Sequence, residues 1–111
     1  MLKVGREASG VAVVQFEGRL DRTTAPDFGD QLAGLVRAGN TRVVVDLARV
    51  TYISSAGFRS LLIAGKLVDE AAGKLALRGL NPEVRRLSDV GAFTERFVVR
   101  PSREGGIRYA E

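Results

Sequence analysis

The run Val43-Val44-Val45-Asp46-Leu47 is apolar and mostly β-branched, and it does not alternate with polar residues. That is the pattern of a strand buried on both faces, and it implies a parallel sheet. After a short connection come Ser54 and Ser55, then Ala56 and Gly57. Phe58, Leu61, Leu62, Gly65 and Val68 follow at spacings of three and four, which sets them on one side of a helix and marks the large ones as core. The two serines therefore fall at a helix N-terminus. Unpaired backbone N–H groups and the positive end of the helix dipole favour an anion there, including a phosphate carried on a serine.

Composition narrows the chemistry. A chain of 111 residues is expected to form a single domain, burying roughly two-thirds of the surface its unfolded form exposes. It contains no Cys, which excludes a disulfide, a thiolate nucleophile or a cysteine-held metal. It also contains no His, which removes the commonest general base, the Ser-His-Asp arrangement and imidazole metal sites. The expectation is a protein that is not an enzyme and has no metal site and no cofactor. The formal charge of +4 comes from scattered basic residues, with Arg85-Arg86 the one adjacent pair, and two Tyr and five Phe make a poor stacking platform. Direct nucleic-acid binding is not expected. No apolar run approaches the ~20 residues of a membrane span, and Met1 to Gly10 lacks the apolar block of a secretory signal, so the expected location is the cytoplasm.

Taken in order, Leu2 to Val4 and Val11 to Phe16 read as a hairpin around Ala8-Ser9-Gly10. Next comes a helix start in which Thr24 caps, Pro26 lies in the first turn and Asp27 completes a Thr-x-x-Asp box. Phe28, Leu32, Leu35 and Val36 share its inner face, and Gly39-Asn40 supplies a left-handed stop. The buried strand spans Arg42 to Leu47, and Asp46 is read as ending it by accepting hydrogen bonds from the following loop. A helix from about Ala56 to Ala72, stopped by Gly73, leads to a strand at Lys74 to Arg78 through a right-handed crossover. Asn81-Pro82-Glu83 opens a short helix with Val84 and Leu87 inward, ending near Gly91. Phe97-Val98-Val99 fits either an edge strand or a terminal helix, and Ser102 to Glu111 reads as loosely held.

The order of these elements, with Gly18-Arg19-Leu20-Asp21, the Val-Val-Val-Asp-Leu strand, Val50-x-Tyr-Ile-Ser-Ser-Ala-Gly and Asn81-Pro82-Glu83-Val84-Arg85-Arg86-Leu87, resembles the STAS-domain family. Within it the chain is most similar to stand-alone anti-sigma factor antagonists. The resemblance covers about residues 8 to 99 and implies an α/β fold. One domain over 1–111 would hold a mixed four- to five-stranded sheet with helices mainly on one face, followed by a tail from residue 100. In that family the serine after an aspartate in the loop before the long helix is the phosphorylation site, which corresponds to Ser55, with Ser54 the alternative. Ser54 stands where the family usually has Asp, and Ala56 where it has Ser or Thr. The resemblance further implies a partner-binding surface of Asp21, Thr23, Ser54, Ser55, Ala56, Gly57 and Arg59. The expected partners are an anti-sigma factor that is a serine kinase and a serine phosphatase. From the residues alone Gly57 has two open explanations: close approach of a partner, or of the neighbouring strand.

Overall fold

The computed structural model describes residues 2–7, 9–79, 98–100 and 110. Among these residues seven elements follow in order: β1 (Leu2–Arg6), β2 (Ala12–Leu20), α1 (Ala25–Arg37), β3 (Arg42–Ile53), α2 (Ser55–Glu70), β4 (Lys74–Arg78) and β5 (Val98–Arg100). The strands form one sheet in sequence order, β1 antiparallel to β2 and every later pair parallel. This is the mixed sheet and α/β class expected from the sequence. Because β2, β3 and β4 advance without a reversal, right-handed crossovers place α1 and α2 on the same face.

That face holds the main core. Val14, Phe16 and Leu20 of β2, Val43, Val45 and Leu47 of β3, and Leu75 and Leu77 of β4 meet Phe28 and Leu32 of α1 and Leu61 and Val68 of α2. Phe16 and Phe28 pack edge to face, with centroids 5.3 Å apart. Phe58, Leu62 and Leu35, expected to be core, are partly buried and packed against it, because their helix positions lie at the margin of the inward stripe. On the opposite face Val11, Val13 and Val44 pack with Ala110. Val44 is thus buried opposite Val43 and Val45, which is why the run does not alternate.

Several local expectations are corrected. β3 does not end at Leu47 but continues to Ile53. Two register shifts against β2, between Gln15 and Glu17 and between Gly18 and Arg19, each set one more residue on β3 than on its partner. These bulges break the side-chain period and give the outer half of the strand the pattern of a loop. Asp46 lies inside the strand, at the first bulge, where its Oδ1 accepts the Ala48 N–H at 3.0 Å. Thr24 occupies the cap position of α1 without capping it. Its hydroxyl donates to Arg19 O and accepts from Asp21 N–H, and the carbonyl of Asp21 takes the N–H groups of Thr24 and Ala25. Asp27 accepts from Gln31 instead of closing a capping box.

At the end of α1 the left-handed residue is Gly39, as expected, but at the end of α2 it is Ala72, with φ 56°. Gly73 serves a different need: a Cβ on it would lie 2.0 Å from Thr41 O, where β4 starts beside β3. Val98–Arg100 is a strand parallel to β4, which decides that open alternative. Ala110 is fully buried, so this residue of the tail is not loosely held. The helix expected from Asn81 to about Gly91, with Val84 and Leu87, lies outside the described residues.

Two measurements check this packing. Leu61 is fully buried, so Leu61→Ala should destabilise by about 2–5 kcal/mol through lost burial and a residual cavity, whereas half-buried Leu62→Ala should cost only about 1 kcal/mol. Equal shifts of the two denaturant midpoints would place the wrong face inward. The second concerns Asp46. Burial pushes its carboxyl upward, but the Ala48 N–H, Gln15 and the Arg78 guanidinium outweigh this and hold it below its ordinary value of 3.8. A lowered folded-state value stabilises above the unfolded value and is lost as pH falls through the folded one. Thermal midpoints should therefore drop as pH is taken below about 3.8, and Asp46→Asn should remove that part of the slope.

Candidate functional site

The C-terminal ends of β2 and β3 and the start of α2 meet at one junction. Ser54 is the single residue between β3 and α2. Its N–H donates to Leu20 O at 2.9 Å, its carbonyl accepts the Phe58 N–H, and its Oγ accepts the Gly57 N–H at 3.3 Å. Ser54 is thus a half-buried N-cap, the structural role that serine fills well at this position. Ser55 is the first residue of the helix and is exposed, and its hydroxyl makes no hydrogen bond among the described residues. The two serines are adjacent in sequence but differ in chemical availability.

Gly57 is buried because β2 passes directly over it. A Cβ there would stand 2.5 Å from Leu20 O, 2.9 Å from Leu20 Cγ and 3.2 Å from Ile53 Cγ2. Of the two explanations open from the sequence, the structure bears out close approach of the neighbouring strand. Ala56 is half-buried and Arg59 exposed, and both line the shallow groove between α1 and α2 with Pro26, Gly29, Ser60 and Ile63. Arg59 lies four residues after Ser55, on the same side of the helix. Gly29 lets α1 approach Ser60, whose hydroxyl donates to Gly57 O at 2.7 Å, so the groove floor is tied to the serine loop.

Asp21 follows Leu20 directly and holds the turn into α1. Its Oδ1 accepts from the Thr23 hydroxyl at 2.7 Å, the Thr23 N–H at 3.0 Å and the Thr24 N–H at 3.3 Å. These bonds, the Thr23 hydroxyl foremost, lower its carboxyl to a pKa of about 2. Thr23 is exposed, but its hydroxyl is committed to this turn. The structure therefore brings Asp21 and Thr23 beside the serine loop through Leu20, and both serve the turn.

Two further residues at this edge were not read from the sequence. The Arg19 guanidinium lies 4.3 Å above the Tyr52 ring and 3.4 Å from Asp21 Oδ2. The two are register partners across β2 and β3, a pairing that the second bulge shifts by one position. No count along either strand alone would bring them together.

Comparisons with known proteins agree with this architecture. A family profile described as Mlab, STAS domain, matches residues 5–100. BtrV of Bordetella bronchiseptica, which carries the name of an anti-sigma factor antagonist, is 37% identical over 95 residues, covering 86% of this chain and 82% of that protein. An anti-sigma F factor antagonist of Paenibacillus polymyxa is 29% identical over 85 residues, covering 76% and 73%. Among solved structures, an anti-sigma factor antagonist from Mycobacterium paratuberculosis superposes with a TM-score of 0.81 at 23% identity, covering 99% of this chain and 92% of that one. The Bacillus cell fate determinant SpoIIAA in its phosphorylated form superposes at 0.73 with 15% identity, covering 98% and 99%. Among the described residues, no helix is long and apolar enough to cross a membrane. By its profile match and its relatives, the chain belongs to the STAS-domain family and is similar there to the anti-sigma factor antagonists.

Proposed function

We propose that this protein is an anti-sigma factor antagonist whose partner binding is switched by phosphorylation of Ser55. The observation that carries the reading is the division of labour at the helix start: Ser54 is consumed as the cap, while the Ser55 hydroxyl stands exposed at the first helical position. Unmodified, the surface formed by Asp21, Thr23, Ser54, Ser55, Ala56, Gly57 and Arg59 binds an anti-sigma factor that is itself a serine kinase, and the sigma factor is released. The kinase then transfers the γ-phosphoryl group of ATP to Ser55 Oγ: the Oγ–P bond forms, the bond to ADP breaks, and the serine proton passes to a base on the kinase. The modification adds about −1.5 to −2 charge, which opposes rebinding by repulsion and desolvation. A serine phosphatase resets the cycle.

In this reading the protein is a substrate and binding partner, not an enzyme. It has no histidine to act as a base, and the one carboxylate at the turn, Asp21, is already committed to Thr23 and Thr24. It acts as one domain in the cytoplasm, with no cofactor, no membrane contact and no direct contact with nucleic acid. The fold tolerates the added charge because an anion near a helix N-terminus is electrostatically favoured. The serine at position 54, where the family usually has Asp, favours a second reading in which the chain is a constitutive assembly module that no kinase recognises.

Intact mass after incubation with ATP and a cognate kinase, together with calorimetric affinity, separates these readings. Ser55→Ala should fold, bind and remain unmodified. Ser55→Asp should fold but bind about 10- to 100-fold more weakly. Ser54→Ala should lose a cap worth about 1 kcal/mol and still accept phosphate. Phosphate on Ser55→Ala but not on Ser54→Ala would move the site by one residue. An unmodified parent alongside tight binding by Ser55→Asp would establish the assembly module instead.

A further inference from the structure

The sheet face turned away from α1 and α2 carries a row of polar residues that the switch does not use. Lys3 of β1 is the register partner of Gln15 on β2, Gln15 of Asp46 on β3, and Asp46 of Arg78 on β4. The next pair along, Glu17 and Arg49, is also in register. These six residues line one shallow depression. At its floor lies Asp46, a carboxylate only 5% exposed.

The hydrogen-bond account of this row is one-sided. Asp46 Oδ1 accepts from the Ala48 N–H and from Arg78 Nη1, both at 3.0 Å, and its Oδ2 accepts from Gln15 Nε2 at 3.2 Å. The acceptor is therefore well supplied. The Nε–H of Arg78 is buried and has no hydrogen-bond partner among the described residues. A buried donor left unpaired is unfavourable, and in native proteins such groups usually mark a water, an ion or a ligand. What is missing at this spot is an acceptor.

Charge points the same way. Lys3, Arg49 and Arg78 face two carboxylates, Asp46 and Glu17, of which Asp46 is paired with Arg78 at 3.0 Å and Glu17 lies 4.0 Å from Arg49. Both carboxylates repel an anion, but each already has a cation beside it, and Lys3 adds a further positive charge at the rim. We propose that this depression binds a small oxyanion, a carboxylate or a phosphate group, held by Arg78 with Lys3 and Arg49. Its oxygens supply the acceptor that Arg78 Nε–H lacks, and charge-assisted bonds from guanidinium to oxyanion are among the strongest available to a side chain. The site lies on the same strand that ends at the serine loop, but on the other face of the sheet. It stands whether or not Ser55 is modified.

The test is a nitrogen-15 NMR titration of the full chain with sodium acetate, inorganic phosphate and sodium chloride at matched ionic strength, following Arg78 Nε–H, the Gln15 side-chain amide and the Ala48 N–H. Acetate or phosphate should give saturating shifts at these three groups while chloride gives none, and whichever binds more tightly names the source. The double variant Lys3→Gln, Arg49→Gln changes only exposed side chains, so it should keep the thermal midpoint and weaken binding by about tenfold. Shifts that do not saturate, equal shifts with chloride, or an unchanged affinity in the double variant would each overturn the proposal in favour of a lone water on Arg78. Saturating shifts confined to the Ser54–Gly57 amides would overturn it too, by locating the anion at the helix start.

Discussion

The carbonyl of Leu20 is the point on which the functional edge depends. It ends β2, accepts the Ser54 N–H at 2.9 Å, and lies where any side chain on Gly57 would have to go. One oxygen thus fixes the distance between the second strand and the start of α2. With that distance set, Ser54 has the extended backbone of a cap, at φ −87° and ψ 176°, and Ser55 becomes the first helical residue. The next residue after Leu20 is Asp21, so the same strand end also anchors the turn into α1. Both halves of the edge therefore hang on one strand terminus. A glycine at position 57 is the condition for that arrangement, since the nearest would-be contact, the Leu20 carbonyl oxygen at 2.5 Å, is backbone and cannot readily give way.

The bulges in β3 let one strand serve two chemistries. Before them, Val43, Val44 and Val45 are fully buried and the strand is simply core. At the first bulge, Asp46 turns its carboxylate to the far face and takes the Ala48 N–H that the interrupted ladder leaves over. Beyond the second, Tyr52 lies beneath Arg19 and Ile53 returns to the core. An unbroken twelve-residue strand would keep strict alternation and deliver Ser54 at a different angle. The extra residues cost regularity and supply a change of direction just before the serine loop.

What was legible in the sequence is what depends on local chemistry or on a strong periodic signal. The non-alternating valines announced a strand covered on both faces, and the threes and fours after Phe58 announced α2 with the serines at its start. The misreadings share a cause, namely partners that lie outside the local window. Thr24 reads as a cap until its hydroxyl proves to be taken by the Arg19 carbonyl and the Asp21 N–H, both before the helix. Gly73 reads as the left-handed stop until Thr41, thirty-odd residues earlier, proves to be why it has no side chain, leaving Ala72 to adopt the positive φ. The outer half of β3 was lost because a bulge shifts the period by one. Arg19 and Tyr52 were missed because their contact exists only in the shifted register.

The serine at position 54 bears on how a switch at this edge would work. An Asp in that place would add a second carboxylate next to Asp21 and would itself be a good cap. Here the cap is neutral, and the formal charges nearby are those of Asp21, Arg19, Arg22 and Arg59. Asp21 is held far into its ionised form by Thr23 and Thr24, so it is a fixed charge, and Arg19 is tied to it and to Tyr52. Arg22 and Arg59 are exposed. The unmodified edge is thus net cationic by formal count, whereas an Asp at 54 would bring it closer to neutral. Over these four residues the formal count is three positive charges against one negative, so adding about two negative charges at Ser55 would bring the edge close to neutral. Electrostatic discrimination between two states depends on the change in the partner's interaction energy. Removing a net positive charge removes the electrostatic attraction to an acidic partner surface, so with a neutral cap at position 54 the two states of Ser55 would differ as cationic against nearly neutral.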